Sequence, residues 1–585
     1  MGSTTKELLS GNEAIAWGAY DYGVKVAAAY PGTPSTEILE NVARFDDVYA
    51  EWSPNEKVAL EVAIGACLGG VRTLASMKHV GLNVAADPFF TASYIGVNGG
   101  LVIVSADDPG MHSSQNEQDN RHYAIAAKVP MLEPADSQEA YDFVGQALEI
   151  SEQYDTPVLL RITTRVAHSK GVVERGAKRI RHLKEAGFVK DPPKYVMVPN
   201  YARQRHDYVE QRMARLRELT ESIPINRIEW GRREVGIVAS GVAYQYAREA
   251  RPRASFLKVG LTHPLPEKRI REFARGVRKL FVVEELDPYL EDQIKALGVT
   301  VIGKERFPIC GELSPEIVKR GLSGRNPAKK AARPAEIPAR PPALCPGCPH
   351  SATFYTIKKL KLTVMGDIGC YTLSVAPPLE TMDSTLCMGA SIGMAHGIEK
   401  ALGPEPGTRC VAVLGDSTFL HSGIAPLMNI AYNRGTSTTI ILDNRTTAMT
   451  GFQEHAATGR TLQGEETPEI DFEALGRALG VSSVRTVDPY AMKDLEKVLK
   501  EEVEAPHSSL IIARRECLLL KRGQKRTPKT VDPDKCVGCN LCLLTGCPAL
   551  SRTPEGKAQI DSVICNGCPI CQQICKLDAI SDISL

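Results

Sequence analysis

The sequence contains little that points to a membrane, to nucleic acid or to secretion. Its first residues, MGSTTKELLSGNEAIAWG, lack the basic segment and apolar run of a secretion signal, and Lys6 breaks the myristoylation pattern. The longest uncharged stretch, residues 88–106, contains Pro, Asn and Gly, and is more typical of a buried helix and strand than of a membrane span. Lysine and arginine (70) balance aspartate and glutamate (69), so no nucleic acid or membrane partner is expected. We expect a cytoplasmic protein.

Cysteine, in contrast, is abundant and unevenly distributed. Eight of the sixteen cysteines lie within the last fifty residues. A cytoplasmic location argues against a disulfide framework, and the clustering indicates metal or redox chemistry.

The cysteine-rich tail contains two runs with the CxxCxxC spacing of iron–sulfur proteins. In such runs three thiolates bind one cluster, and a fourth, more distant cysteine binds the other. By that rule one [4Fe–4S] cluster is held by Cys536, Cys539, Cys542 and Cys575, and the second by Cys565, Cys568, Cys571 and Cys547. Two structural zinc sites are the alternative, but these runs exceed the CxxC pairs that zinc requires. The tail resembles a bacterial two-cluster ferredoxin, with a longer spacing before Cys547 and Lys576 where proline usually follows.

The rest of the chain alternates between helical and apolar strand-like segments in three blocks. At 585 residues it is too long for one core, and the alternation predicts parallel sheets covered by helices. Residues 166–230 are charged and helical and read as a solvated connecting segment, and residues 322–343 as an extended linker.

The third block contains a candidate diphosphate site. Apolar VAVL predicts a strand, followed by a turn at Gly415-Asp416-Ser417, and TTIIL predicts the next strand, which ends at Asp443-Asn444. In a parallel sheet Asp416 and Asn444 then lie at the carboxyl ends of adjacent strands, where ligands bind. Their oxygens suit Mg²⁺, and the helix after Ser417 offers N–H groups to a diphosphate. An ordinary strand–helix–strand unit is the alternative.

This pattern resembles the GDG…NN motif of thiamine-diphosphate enzymes, with Ser417 in place of the last glycine. The resemblance implies that Asp416, Asn444 and the carbonyl of Thr446 bind Mg²⁺. It also implies that the cofactor contacts Gly415, Ser417 and Met449.

A thiamine enzyme also needs a carboxylate that protonates the aminopyrimidine ring. Residues 55–66, NEKVALEVAIGA, resemble the helix of pyrimidine-binding domains, which places Glu56 in that role. Glu61 is the rival, and a solvated helical carboxylate is the alternative for either residue.

The chain resembles the 2-oxoacid:ferredoxin oxidoreductases over nearly its whole length. The resemblance is carried by the loop Tyr30-Pro-Gly-Thr33-Pro-Ser35 and by the motifs CPGCPH (345–350), GDIGC (366–370) and MTGFQ (449–453). The segments MKHVGLNVAADP and LDNRTTAMTGFQ most resemble members that act on aryl pyruvates such as indolepyruvate. By this resemblance Thr33 binds the substrate. His79, His112 and His421 lie in family-like segments but are more typical of structural histidines.

The resemblance implies a third, proximal [4Fe–4S] cluster near thiamine. Its ligands match Cys345, Cys348, Cys370 and, less securely, Cys517. The alternative is four unligated cysteines. Cys67, Cys310, Cys387 and Cys410 have no ligand spacing and are expected to be small core residues.

The predicted fold is α/β: two thiamine-diphosphate-binding parallel-sheet domains, a transketolase-C-terminal-like α/β domain and a two-cluster ferredoxin domain. The predicted boundaries are 1–190 (pyrimidine domain), 191–232 (helical connector), 233–321 (transketolase-C-terminal-like), 322–343 (linker), 344–520 (diphosphate domain), 521–529 (basic hinge) and 530–585 (ferredoxin-like).

The resemblance implies an oxygen-sensitive enzyme that oxidatively decarboxylates an aryl 2-oxoacid with coenzyme A and passes electrons through iron–sulfur clusters to ferredoxin. It implies a smaller β subunit in an α₂β₂ assembly. The alternatives are the same chemistry on another 2-oxoacid, a non-oxidative thiamine-dependent decarboxylase or synthase, and an electron-transfer subunit with inactive thiamine domains.

Overall fold

The computed structural model describes residues 5–176, 186–324, 341–403, 410–521 and 526–583. The chain forms two compact units, residues 1–337 and 338–585. The division falls within the predicted linker 322–343, most of which lies outside the described residues.

The first unit is built around two parallel sheets. Its strands are β1 (Thr5–Ser10), β2 (Val24–Ala29), β3 (Tyr49–Trp52), β4 (Arg72–Lys78), β5 (Leu101–Asp107), β6 (Met131–Leu132), β7 (Val158–Thr163), β8 (Lys170–Arg175), β9 (Arg227–Glu229), β10 (Arg232–Ala239), β11 (Ala254–Lys258), β12 (Leu261–His263) and β13 (Leu280–Val283). The larger sheet has the order β12-β6-β7-β5-β4-β2-β3 and is parallel except at β12, and the smaller has the order β13-β10-β11-β9.

Helices cover both sheets of this unit. They are α1 (Gly11–Asp21), α2 (Thr36–Val42), α3 (Glu56–Leu68), α4 (His79–Val84), α5 (Ala86–Ile95), α6 (Arg121–Ala127), α7 (Ser137–Tyr154), α8 (Thr164–His168), α9 (Pro192–Tyr195), α10 (Pro199–Ser222), α11 (Gly241–Ala250), α12 (Glu267–Arg275), α13 (Tyr289–Ala296) and α14 (Pro315–Leu322). The helix starts are specified locally: Ser10 forms a capping box with Glu13, and Asp136 accepts from the N–H of Glu139.

The central strands are buried on both faces, as expected of a sheet between helical layers. Every residue of β5 is buried, which explains its continuous apolar run. Strand β12 lies within the predicted transketolase-C-terminal-like domain 233–321, yet it pairs with β6 and forms the edge of the larger sheet. The chain of the smaller-sheet region therefore contributes one strand to the larger sheet.

Two features of residues 166–230 differ from the expected solvated connector. Strand β8 pairs antiparallel with β1. Helix α10 buries one face, on which the Arg212 guanidinium is fully buried and donates to the carbonyl oxygens of Ser93 and Asp155 at 2.9 Å. The helix is charged because its other face is exposed, and the sequence pattern alone did not separate the two faces.

A buried ionic network connects the two sheets of this unit. Arg121, fully buried, donates to Asp119 and, at 2.7 Å, to Glu284. Arg161 donates to Asp107 at 2.9 Å and to Glu133 at 3.2 Å. Separating the two sheets would leave buried charges without partners, which is energetically costly. The network therefore holds the two sheets in one arrangement.

Glu285 lies beside this network, and burial raises its pKa to about 7. Because the pKa of this carboxyl group is higher in the folded protein than in the unfolded chain, the folded state loses stability as the pH rises from about 4.5, the pKa in the unfolded chain, to about 7, the pKa in the folded protein. Glutamine retains the acceptor for the N–H of Leu313 but cannot ionise. We therefore expect Glu285→Gln to match the wild type at pH 5 and to be more stable by about 1–3 kcal/mol at pH 8.

Thermal unfolding midpoints at the two pH values measure this effect. The exposed Glu249→Gln in α11 removes the same charge and serves as the control. A difference between Glu285→Gln and wild type that does not change with pH would contradict the prediction.

The second unit contains one parallel sheet and a small cysteine-rich tail. Its strands are β14 (Thr363–Met365), β15 (Cys410–Gly415), β16 (Thr438–Asp443), β17 (Ser483–Val487), β18 (Ser509–Arg514), β19 (Lys529–Val531), β20 (Leu550–Arg552), β21 (Ala558–Ile560) and β22 (Ile580–Asp582). The sheet has the order β14-β15-β16-β18-β17, and all its neighbouring strands are parallel.

The helices of this unit are α15 (Pro349–Leu360), α16 (Ala390–Leu402), α17 (Asp416–Thr418), α18 (Ile424–Tyr432), α19 (Phe472–Ala478), α20 (Met492–Glu504) and α21 (Ile570–Ile574). Residues Phe419–Gly423 form a π-helical turn between α17 and α18. Short 3₁₀ helices cover Cys370–Val375, Ala448–Thr450, Leu518–Lys521 and Leu541–Thr545.

Two small antiparallel ladders, β19 with β22 and β20 with β21, form the frame of the tail.

The predicted α/β class with parallel sheets is confirmed. All sixteen cysteines are free thiols, and no helix among the described residues combines the length and apolarity needed to cross a bilayer.

Candidate functional site

The diphosphate site predicted from the sequence lies at one edge of the parallel sheet of the second unit. Strand β15 ends at Gly415, which pairs with Leu442 of β16, so Asp416 and Asn444 follow the carboxyl ends of adjacent strands. Both side chains are buried. This is the edge at which open α/β sheets bind ligands.

Asp416 connects the two loops at this edge. Its Oδ1 accepts from the N–H of Ser417 at 2.8 Å, and its Oδ2 accepts from the N–H of Arg445 at 2.7 Å. His455 was not among the predicted site residues, and its Nε2 lies 3.3 Å from Asp416 Oδ2. His455 lies beyond the MTGFQ motif, and no spacing in the sequence marked it.

The oxygens at this edge fit a hard cation. Asn444 Oδ1 accepts from the N–H of Thr446 at 3.3 Å. The Thr446 hydroxyl is buried and has no hydrogen-bond partner among the described residues. A carboxylate and an amide oxygen are donors that suit Mg²⁺, whose remaining positions are usually filled by backbone carbonyl oxygens, phosphate and water.

The helix that starts at this edge is distorted. Asp416–Thr418 are helical, and the π turn Phe419–Gly423 follows immediately. Single π turns within helices are frequent at functional sites. The turn contains His421, which is buried and whose Nδ1 lies 2.8 Å from the Ser422 hydroxyl.

Met449, predicted to contact the cofactor, is 52% exposed in the short helix Ala448–Thr450. Ser417, in contrast, is buried, and its hydroxyl accepts from that of Thr447 at 3.0 Å. The structure therefore brings Ser417 to the edge with Asp416 and Asn444, whereas Met449 lies at the surface of this unit.

In the first unit, Glu56 is the first residue of α3 and is buried. Asn55 caps this helix by accepting from the N–H of Val58 at 3.0 Å. The backbone of α4 lies directly against the carboxylate: a Cβ added to Gly81 would be 2.6 Å from Glu56 Oε1. Glu61 is exposed and forms an ion pair with Lys57, so the two candidates differ sharply in environment.

The loop with Thr33 follows β2 in the same unit. Thr33 is half-buried, and its carbonyl oxygen accepts from the Ser113 hydroxyl at 3.3 Å. His79 is buried with its Nε2 2.9 Å from Asn116 Oδ1, whereas His112 is exposed and contacts Glu312 at 3.2 Å.

The tail brings together both predicted sets of cysteines. A cavity of about 250 Å³ is lined by the first set, Cys536, Cys539, Cys542 and Cys575. A smaller cavity of about 20 Å³ is lined by the second set, Cys547, Cys565, Cys568 and Cys571. Backbone N–H groups of Lys529 and Ala579 donate to the sulfur atoms of Cys565 and Cys575, both at 3.4 Å.

The electrostatics of these thiols fit an iron–sulfur cluster. Burial, together with the neighbouring thiols Cys568, Cys547 and Cys565, raises the pKa of Cys571 to about 12. Thiolates packed together are unfavourable unless a cation lies between them, and iron supplies that charge.

The four predicted proximal cysteines also line one cavity, of about 80 Å³: Cys345, Cys348, Cys370 and Cys517. Asn444 and His350 line the same cavity, which therefore reaches the edge of the sheet where Asp416 lies. Burial raises the pKa of Cys348 well above its ordinary value, and the other three thiols add to the rise. Cys517, the least secure match in sequence, is positioned by its N–H donating to the carbonyl of Asn444 at 2.9 Å.

The loop Cys345–Cys348 packs against the tail. Asn566, between Cys565 and Cys568, donates to the carbonyl of Pro346 at 2.6 Å. A Cβ on Gly347 would lie 3.4 Å from Cys568 Cβ. The proximal cavity and the second tail cavity are therefore separated by little more than backbone.

The remaining four cysteines do not all match the prediction of small core residues. Cys67 is buried and Cys410 half-buried, but Cys310 and Cys387 are exposed. Both exposed residues lie in turns, outside the strands and helices. The sequence around them has no apolar periodicity that would indicate burial.

Comparison with known proteins gives two family matches. Residues 17–218 match the family described as pyruvate flavodoxin/ferredoxin oxidoreductase, thiamine diP-binding, and residues 367–513 match the C-terminal TPP-binding domain of thiamine pyrophosphate enzymes. The first contains Glu56 and Thr33, and the second contains Asp416 and Asn444.

Curated relatives align over nearly the whole chain. Indolepyruvate oxidoreductase subunit IorA of Methanothermobacter thermautotrophicus is 43% identical, covering 98% of this chain and 97% of the relative. The proteins of the same name from Archaeoglobus fulgidus (40%; 98% and 97% covered) and Pyrococcus abyssi (41%; 98% and 96% covered) are similarly close. The chain therefore belongs to the family of indolepyruvate oxidoreductase IorA subunits, among the thiamine-diphosphate-dependent 2-oxoacid:ferredoxin oxidoreductases.

Proposed function

We propose that this catalytic subunit oxidatively decarboxylates aryl pyruvates, indolepyruvate foremost, to the aryl-acetyl-CoA and CO₂, and passes the electrons through three [4Fe–4S] clusters to ferredoxin. The names of the relatives indicate the substrate, and the chemistry of the family implies coenzyme A and ferredoxin. The observation that supports the proposal best is the proximal cavity: four cysteines and Asn444 line one space beside the edge that contains Asp416.

The residues that would hold the diphosphate lie in the second unit, and the residue that would protonate the aminopyrimidine ring lies in the first unit. Asp416, Asn444 and the carbonyl of Thr446 would hold Mg²⁺ and, with it, the diphosphate. Glu56 would hold a proton on the aminopyrimidine ring nitrogen. When bound, thiamine diphosphate supplies the carbon nucleophile for the 2-oxoacid, and the clusters accept the electrons one at a time.

The cysteine sets would hold the clusters in a sequence. Cys345, Cys348, Cys370 and Cys517 would hold the cluster nearest the diphosphate edge. The contact between the Cys345–Cys348 loop and Asn566 leads from it to the second tail set, and α21, with Cys571, connects that set to the first. Electrons would therefore leave the protein at the tail.

The family names of the relatives denote a subunit, so a partner is implied. We propose a smaller β subunit in an α₂β₂ complex, located in the cytoplasm, where free thiols and oxygen-sensitive clusters persist.

The first test is anaerobic cofactor analysis and turnover of the chain co-expressed with its partner. About twelve irons and one thiamine diphosphate per chain, with viologen reduction that depends on indolepyruvate and coenzyme A, would support the whole proposal. About eight irons with retained turnover would remove the proximal cluster. Iron without thiamine, or turnover faster with a non-aryl 2-oxoacid, would overturn the catalytic role or the substrate.

The contact between Gly81 and Glu56 provides a sharper test. A methyl group at Gly81 would lie 2.6 Å from Glu56 Oε1, so Gly81→Ala must displace the carboxylate or the start of α4. We expect kcat to fall by about ten- to a hundredfold, because a small displacement of a catalytic group is costly. Anaerobic turnover and thiamine content measure the effect.

Gly65→Ala is the matched control, because Gly65 lies in the same helix as Glu56 and a Cβ there meets nothing within 4 Å. Normal activity in Gly81→Ala with an unchanged unfolding temperature would show that the position of Glu56 does not limit turnover.

A further inference from the structure

Lys78 has an environment that the functions assigned above do not explain. It is the last residue of β4 and directly precedes α4. Its side chain packs against the loop that contains Thr33: a Cβ on Gly32 would lie 3.4 Å from Lys78 Cδ and Cγ. The ammonium is thereby held between this loop and the loop that follows β5.

Among the described residues, the ammonium group has one hydrogen bond. Its Nζ donates to the carbonyl of Ser113 at 3.0 Å, and the Ser113 hydroxyl donates in turn to the carbonyl of Thr33. An ammonium has three N–H donors, so two remain for a ligand. Within residues 5–176 and the other described ranges, no carboxylate oxygen lies within 4.0 Å of Lys78 Nζ.

The two nearest acidic residues do not neutralise it by contact. Asp108 Oδ2 accepts from the N–H of Ser113 and the hydroxyl of Ser114, and its Oδ1 accepts from the hydroxyl of Thr164. The carboxylate of Glu56 is enclosed at the start of α4.

Burial lowers the pKa of Lys78 to about 8, and the negative charges of Asp108 and Glu56 oppose that shift. Lys78 is half-buried and its two remaining N–H donors are accessible, so an anion can approach and bind the ammonium.

We propose that Lys78 binds the carboxylate of the 2-oxoacid substrate. This inference rests on the proposed function, since it assigns a residue to the substrate of that reaction. The ammonium lies beside the loop that contains Thr33, and the negative charge of Glu56 acts on it, so a carboxylate bound there would bring the substrate close to both residues. A charge-assisted hydrogen bond to a carboxylate is the interaction for which two free N–H donors are best suited.

The proposal predicts an effect on binding rather than on the chemical step. Lys78 contacts the carboxylate in the free substrate as well as during the reaction, and uniform binding of this kind changes KM more than kcat. For Lys78→Gln we expect KM for indolepyruvate to rise about ten- to a hundredfold and kcat to change less than about threefold. Lys78→Arg, which keeps the charge, should recover part of the affinity.

A pair of dead-end ligands gives a measurement that a structural role would not affect. Indole-3-lactate retains the carboxylate, and its amide is neutral but otherwise nearly the same. Wild type should be inhibited more strongly by the acid than by the amide. In Lys78→Gln the inhibition constant for the acid should rise by the same factor as KM, with that for the amide unchanged. Lys57→Gln, an exposed lysine in α3, is the control and should behave as wild type.

Three outcomes would overturn the inference. One is an unchanged KM in Lys78→Gln. Another is a fall in kcat and thiamine affinity at constant KM, which would make Lys78 a residue that positions Glu56. If Lys78→Gln folds poorly, Lys78→Arg is measured instead. The reference is then Lys57→Gln in high salt, where the charge of Lys78 is screened. A Lys78→Arg variant that prefers the acid over the amide no more than this reference does would refute carboxylate binding. A wild type that binds no thiamine and oxidises no 2-oxoacid would instead refute the proposed function itself.

Discussion

Replacing Glu56 with glutamine is expected to lower kcat by about 10²- to 10⁴-fold while thiamine diphosphate stays bound, because proton transfer by a positioned carboxylate contributes an effect of that size. The amide preserves the size of the side chain and the start of α3, but it cannot give a proton to the aminopyrimidine ring and take it back. The proposed Mg²⁺ ligands, Asp416 and Asn444, belong to the other unit, and we expect them to be unaffected. Anaerobic steady-state turnover and thiamine content of the purified complex measure the two parts of this expectation.

Glu61→Gln is the matched control. Glu61 lies in the same helix, is exposed and is paired with Lys57, so its replacement should leave kcat within about twofold, as for most surface substitutions. Loss of activity in Glu61→Gln with normal activity in Glu56→Gln would exchange the two assignments.

The second large effect is expected from Cys348→Ser. Cys348 is the most enclosed member of the proximal set, and serine is a poor ligand for iron in place of thiolate. We expect the iron content to fall from about twelve to about eight atoms per chain and acceptor reduction to fall at least about a hundredfold, since the electrons lose their first acceptor. Iron analysis and EPR of the dithionite-reduced protein report the loss directly.

The exposed Cys310 supplies the control, since Cys310→Ser removes a thiol that lies outside all three cysteine sets. Eight irons in the wild type, or twelve in Cys348→Ser, would show that no cluster is bound by the proximal set.

The sequence predicted those parts of the fold that depend on short patterns. Strands β2, β4, β5, β7, β15 and β16 coincide with apolar runs next to turns, because a buried parallel strand must be apolar on both faces. The two cysteine sets of the tail were predicted from the nearly fixed spacing of ligands around a cluster, and the proximal set was predicted from the family resemblance. Even the insecure Cys517 lines the same cavity as its three predicted partners.

What the sequence did not predict depends on residues distant in the chain. The approach of His455 to Asp416 and the contact of Gly81 with Glu56 join segments with no shared periodicity. The pairing of β1 with β8 brings together residues more than 150 positions apart, and neither strand has a marked apolar alternation. Lys78 was overlooked for a different reason: a lone lysine after a strand is common, and it is distinguished only by its packing against the Thr33 loop and by an ammonium with no carboxylate partner among the described residues.

Gly347 determines how closely the Cys345–Cys348 loop approaches the tail, in addition to the backbone conformation of that loop. Its φ of +75° is one that glycine adopts without strain, and a side chain there would contact Leu518 at 3.0 Å and Asn566 and Cys568 at 3.4 Å. Any larger residue would push the Cys345–Cys348 loop away from the tail. Because the rate of electron tunnelling falls steeply as the gap between donor and acceptor widens, the absence of one side chain would govern how fast this oxidoreductase can empty its active site of electrons.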